Sequence, residues 1–143
     1  MTVSEVFSLA NLSPCGPVPW GTKISEESPG IYVIALLNDP DALRKSPVLA
    51  DYLDADERVR WLANEPVVYI GKTERKLKDR LAEYYRHKYG KSAPHRGGQA
   101  VKLLRCDLWV FWSPTTDPLG AEQKMIAAFK KQFGHFPFAN RRH

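Results

Sequence analysis

Two short β-branched runs, each joining a glycine to a tyrosine, constrain this chain more than any other feature. Gly30-Ile31-Tyr32 opens the run Ile31-Tyr32-Val33-Ile34-Ala35-Leu36-Leu37, and Tyr69-Ile70-Gly71 closes Val67-Val68-Tyr69-Ile70-Gly71. Ser28 and Pro29 precede the first run, Asn38, Asp39 and Pro40 come after it, and Pro66 opens the second. Short, β-branched and bounded by turn formers, both read as buried strands. If they pair, Tyr32 and Tyr69 point to one side of the sheet, because strand side chains alternate. A lone strand tyrosine is ordinarily a packing residue, so the interest lies in the residues downstream of this pair.

Lys72 and Thr73 come next, with Thr73 placed as the N-cap of a helix from about Glu74 to His87. Leu77, Leu81, Tyr84 and Tyr85 fall toward one side of it. Arg80 lies eleven residues past Tyr69, and Tyr84 lies one turn further on the same face. Leu108-Trp109-Val110-Phe111-Trp112 reads as a third strand. Asp117 and Pro118 then start a last helix as N-cap and first helical residue. That helix carries Leu119, Met125, Ile126 and Phe129, holds Glu122 near its N-terminus and stops before Gly134. Asn140 lies in the turn-rich tail. Residues 1–28, with Pro14, Gly16, Pro17, Pro19 and Gly21, read as an irregular N-terminal arm. Residues 41–65 read as mainly helical, split by Pro47. The order β-(α)-β-α-β-α, in 143 residues, predicts a single α/β or α+β domain around a small mixed sheet.

Charge points to a partner. Residues 1–65 carry a net −5 and residues 66–143 a net +10, an asymmetry that suits a polyanion bound by the second half. A solvated charged face is the plainer reading of the same numbers. No apolar run approaches the roughly 20 residues of a membrane span, and the N-terminus lacks a secretory pattern, so a cytoplasmic location is the expectation. Cys15 (loop) and Cys106 (core) form no C-x-x-C pair, and His87, His95, His135 and His143 lack the spacing of a zinc site. The loop Lys91-Ser92-Ala93-Pro94-His95-Arg96-Gly97-Gly98 has the glycines and cations of a phosphate-contact loop.

The ordered set of Gly30-Ile31-Tyr32, Tyr69-Ile70-Gly71, Arg80, Glu122 and Asn140 resembles the GIY-YIG endonuclease superfamily, over about Gly30 to Arg142. The resemblance implies a small three-stranded antiparallel sheet flanked by helices, and cleavage of DNA phosphodiesters with one divalent metal. Residue by residue, it implies Tyr32 as general base, Tyr69 as a residue orienting phosphate or water, Arg80 on the phosphate and Glu122 as the ligand of Mg²⁺ or Mn²⁺. Tyr84 and Lys72 complete the catalytic candidates. An ordinary phenol ionises near pH ~10 and needs help from a cation to act as a base at neutrality; Lys72 is the local candidate. Lys76, Arg80, His87, His95, Arg96 and Asn140 are the candidate nucleic-acid contacts, and charge alone does not distinguish DNA from RNA. A binding module that keeps the fold with little catalysis is the alternative.

Two departures from the family pattern stand out. The family separates its tyrosine motifs by roughly a dozen residues, whereas Tyr32 and Tyr69 are 37 apart. Residues 38–65 therefore read as a helical insertion in the first hairpin, and their 7 acidic against 4 basic residues suit a lid, a self-inhibiting face, or a contact with a protein partner or a second copy of the chain. Many members also carry histidine where this chain has Tyr84, which brings hydrogen bonding without positive charge near neutrality.

Overall fold

A computed structural model of the chain describes residues 1–36, 65–86 and 108–140. Seven elements run in the order α1 (Val3–Ser8), β1 (Cys15–Pro19), β2 (Gly30–Ala35), β3 (Val67–Thr73), α2 (Leu77–Arg86), β4 (Trp109–Pro114) and α3 (Pro118–Phe133). The architecture is α+β. One four-stranded sheet in the order β1-β4-β2-β3 is antiparallel at every pairing, not mixed.

β2 lies between β3 and β4, and all six of its residues are buried. Its uninterrupted apolar sequence suits that position, since both faces of the strand are covered. Ile31, Val33 and Ala35 pack with Val6 and Phe7 of α1 and with Met125, Ile126 and Phe129 of α3. Tyr32 and Ile34 belong to a second cluster on the other face, with Leu77, Leu81 and Tyr84 of α2. Helices thus sandwich the sheet, and the two tyrosine motifs sit on neighbouring strands.

The sheet corrects the expectation of three strands. The segment read as an irregular arm supplies both α1 and the fourth strand. Cys15 pairs with Trp112, Val18 with Val110 and Pro19 with Trp109. Proline is admissible there because β1 is an edge strand whose outer N–H positions need no partner. The apolar spacing Val3, Val6, Phe7 is a short helical stripe, and all three side chains are buried.

The two helices α2 and α3 start differently. α2 begins at Leu77, not near Glu74. Thr73 does not cap it: its Oγ1 accepts the Arg75 N–H at 3.0 Å in a local turn. The first amides of α2 instead donate to the chain before β2, Leu77 N–H to the Ser28 carbonyl at 2.9 Å and Lys78 N–H to the Glu26 carbonyl at 3.0 Å. α3 obeys its sequence signals. Asp117 accepts the Gly120 N–H at 3.1 Å, Pro118 sits in the first turn, and Gly134 ends the helix at φ 82, a conformation that favours glycine. Leu119, grouped by sequence with the core residues of this helix, is 47% exposed. Among the described residues, no helix is long and apolar enough to cross a membrane. The 38–65 insertion up to residue 64, the 91–98 loop and Cys106 lie outside the described residues.

Because Asp117 satisfies an otherwise unpaired amide, Asp117→Ala should lower stability by about 1 kcal/mol. Urea unfolding should show a lower midpoint with an unchanged slope; an unchanged midpoint would remove the cap from the account.

Candidate active site

Strand register brings the tyrosines together. Tyr32 is opposite Gly71 and Ile34 is opposite Tyr69, so Tyr32 and Tyr69 are diagonal neighbours on the α2 face. Their ring centroids are 6.0 Å apart. The phenol of Tyr32 lies directly over Gly71, where an added Cβ would come within 2.5 Å of Tyr32 Cζ. A glycine is therefore required at this point of β3 by the ring that crosses it.

α2 completes the cluster. Tyr84 presents its ring edge-on to Tyr32 at 6.1 Å and to Tyr69 at 5.8 Å. Trp20, from the chain linking β1 to β2, packs edge-on against Tyr84 at 5.1 Å and Tyr85 at 5.0 Å. Arg80, one turn before Tyr84, donates from Nε to the Tyr32 hydroxyl at 3.4 Å. That bond is long, and the charge behind it counts for more than its geometry.

The three phenols are not equivalent. Burial raises the pKa of Tyr32, but the Arg80 charge, the Arg80 hydrogen bond and a hydrogen bond from Tyr69 all pull it back. Tyr69 and Tyr84 are pushed well above the usual phenol range, mainly by burial and then by the neighbouring phenols. Tyr32 is the acceptor of the group, and of the three anions its own is the one the surroundings oppose least. Lys72 does not supply this help. It alternates to the other face of β3, and its charge acts on Glu122.

Glu122 reaches the site from the first turns of α3. Only 5% of it is exposed, and burial pushes its carboxyl up to about 7, against a smaller pull downward from the Lys72 ammonium. Its charge is close enough to raise both Tyr32 and Tyr69. Tyr32, Tyr69 and Arg80 therefore share the α2 face, and the Glu122 carboxyl of α3 acts on the two phenols through its charge. This set can hold an anion, accept a proton and offer one hard oxygen ligand to a cation.

Of the two places the resemblance implies for Asn140, behind the site or on the phosphate, its bonds in the folded chain fit the first. It is 2% exposed, and its side chain is spent on β3: Oδ1 accepts the Ile70 N–H at 2.9 Å and Nδ2 donates to the Ile70 carbonyl at 2.8 Å. The amide works as one peptide unit of an additional strand, not as a phosphate contact. Lys76 is exposed just ahead of α2. His87, His95 and Arg96 lie outside the described residues. Trp20 escapes sequence reasoning, since nothing in a Pro- and Gly-rich stretch signals an aromatic wall. Tyr85, beside it, has a buried hydroxyl that lacks a partner among the described residues, and burial raises its pKa to about 12.

Comparison with protein-family models, with curated proteins and with solved structures finds no match to this chain.

The raised carboxyl of Glu122 predicts a pH dependence of stability in metal-free buffer. The folded chain holds this proton more tightly than the unfolded chain. Its stabilising contribution is therefore full below about pH 4.5 and is lost as pH rises through about 7. Glu122→Gln should match the parent near pH 4 and exceed it at pH 8 by on the order of 2 kcal/mol. A stability difference that stays flat across that range would show that the carboxylate is not desolvated.

Proposed function

We propose that the chain is a metal-dependent endonuclease of the GIY-YIG type that hydrolyses DNA phosphodiester bonds. The observation that carries this reading is the convergence on the Tyr32 hydroxyl of Arg80 from α2 and Tyr69 from β3, with the Glu122 charge beside them. These are the four residues the sequence resemblance singles out, and they come from four separate elements. On this reading β1 is an addition to the family's three-stranded sheet, and the long interval between the tyrosine motifs is an insertion.

Each residue has its own task. Tyr32 accepts the proton of the attacking water, and Tyr69, by donating to Tyr32, keeps that oxygen in the acceptor role. Arg80 has five N–H donors in a rigid fork, so Nε can stay on Tyr32 while the far side of the guanidinium meets phosphate oxygens. Its fixed charge opposes the negative charge that builds on phosphorus. Glu122 is the residue that would hold a divalent cation. Its carboxyl, buried at the start of α3, fits that role, and among the described residues no cluster of three or more His, Cys, Asp or Glu forms a site of another type. One carboxylate suits hydrated Mg²⁺ or Mn²⁺, which would supply Lewis-acid polarisation of the phosphate. Tyr32 has no exposed surface in this conformation. Catalysis by this route therefore requires that substrate binding uncover its hydroxyl.

That burial favours one other reading, a nucleic-acid-binding module of the same fold with weak or absent catalysis. The two separate cleanly. Supercoiled plasmid incubated with the parent and Mg²⁺ or Mn²⁺ should be nicked, and Glu122→Ala or Tyr32→Phe should lower the rate at least about 100-fold. Undiminished cutting by Glu122→Ala would sink the ligand assignment. Retention of DNA with no cutting by the parent would select the binding module.

A further inference from the structure

The exposed cations of the described chain are distributed unevenly between the two faces. On the α2 side two are engaged by acids: Arg75 makes two hydrogen bonds to Glu83 at 2.8 and 2.6 Å, and Lys78 lies 3.1 Å from Glu27. α3 is built differently. Its one acidic residue, Glu122, faces inward and is buried, while Lys124, Lys130 and Lys131 are exposed on the outer side. None of the three has an ion-pair partner among the described residues. Lys130 lies over the Phe136 ring at 5.0 Å, a contact that orders the ammonium without neutralising it.

We propose that the outer face of α3 is a binding surface for the sugar–phosphate backbone of duplex nucleic acid, gripping the flank of the substrate away from the reacting phosphate. This rests on the reading of the chain as acting on nucleic acid. The composition of the face argues for that occupant. Around the lysines lie Gln123, Ala127 and Gln132, all exposed, giving amide donors, one small residue and no acid. Three ammonium groups spread along about 10 Å of helix axis match the dense negative charge of a duplex. Such contacts hold the backbone without reading sequence. An anionic lipid surface would offer charge too, but the one large apolar side chain exposed on this helix, Leu119, stands at its start ahead of the first lysine and offers little to enter a bilayer. α3 then has two jobs on opposite sides, with Glu122 turned toward the site and the lysines toward the substrate flank.

The test is binding of the intact chain to a fluorescent duplex of about two helical turns in EDTA, measured by anisotropy from low to moderate salt. The triple variant Lys124→Gln/Lys130→Gln/Lys131→Gln should bind at least about tenfold more weakly, with a salt slope shallower by roughly two to three, near 0.9 for each phosphate no longer neutralised. The α2 pair Lys76→Gln/Arg86→Gln is the comparison and should weaken binding clearly less. All five positions are exposed, and thermal unfolding should not change. A triple variant with the affinity and salt slope of the parent overturns the proposal, as does an equal or greater weakening in the α2 pair. A parent that ignores the duplex but binds phosphatidylserine vesicles overturns it in favour of a lipid surface. The outcome is independent of cleavage: a parent that binds through these lysines but never cuts leaves this surface standing and removes the nuclease reading, whereas a parent that cuts with the triple variant binding normally does the reverse.

Discussion

The rest of the site depends on how the phenol of Tyr32 is buried. A hydroxyl taken out of water must be hydrogen-bonded or it destabilises the fold. Here it is covered on one side by β3, which gives way because Gly71 has no side chain, and it is met by donors from Arg80 and Tyr69. These requirements bind together elements that are far apart in sequence. β2 supplies the ring, β3 supplies the space and one donor, and α2 supplies the cation. The register of β2 against β3 cannot slip by one residue without turning Tyr32 away from Gly71 and onto the opposite face.

Holding that register is the work of the sheet's outer edge. β3 is an edge strand, and its free side would leave unpaired backbone groups at the point where the site needs rigidity. The tail closes it. Ala139 N–H donates to the Val68 carbonyl at 2.8 Å, and the Asn140 amide pairs with both backbone groups of Ile70, the residue between Tyr69 and Gly71. An asparagine can do this because its side chain is itself an amide, with one donor and one acceptor group side by side. The tail thus holds the site through the backbone of β3, and Phe138 adds to the cluster that buries Tyr32.

The range of each interaction decides how much of the fold and site is legible in the sequence. The glycine–tyrosine strands, the Asp117-Pro118 start and the Gly134 stop are local signals, and each is found where the sequence puts it. β1 is hidden because its prolines mark it as irregular, and the feature that makes it a strand is its partner β4, about ninety residues away. The start of α2 is obscured for the same reason: its amides are satisfied by carbonyls of Ser28 and Glu26, and no pattern near Thr73 encodes that. Residue types at the candidate site are legible, but their roles depend on neighbours. Lys72 is next to Gly71 in sequence yet faces Glu122, while Arg80, nine residues beyond Gly71, meets Tyr32.

Burial opposes ionisation of both Glu122 and Tyr32. It pushes the Glu122 carboxyl up to about 7, against a smaller downward pull from Lys72. Tyr32 is the phenol best prepared to ionise, yet the Glu122 charge works against its anion. On the proposed reading a cation held by Glu122 would relieve both conditions at once, favouring the carboxylate and cancelling the repulsion felt by the phenolate. A phosphate beside Arg80 alone would do the opposite, spending positive charge that lowers the Tyr32 pKa. On that reading the two ligands would be complementary in sign, the cation offsetting both the buried carboxylate and the negative charge of a phosphate.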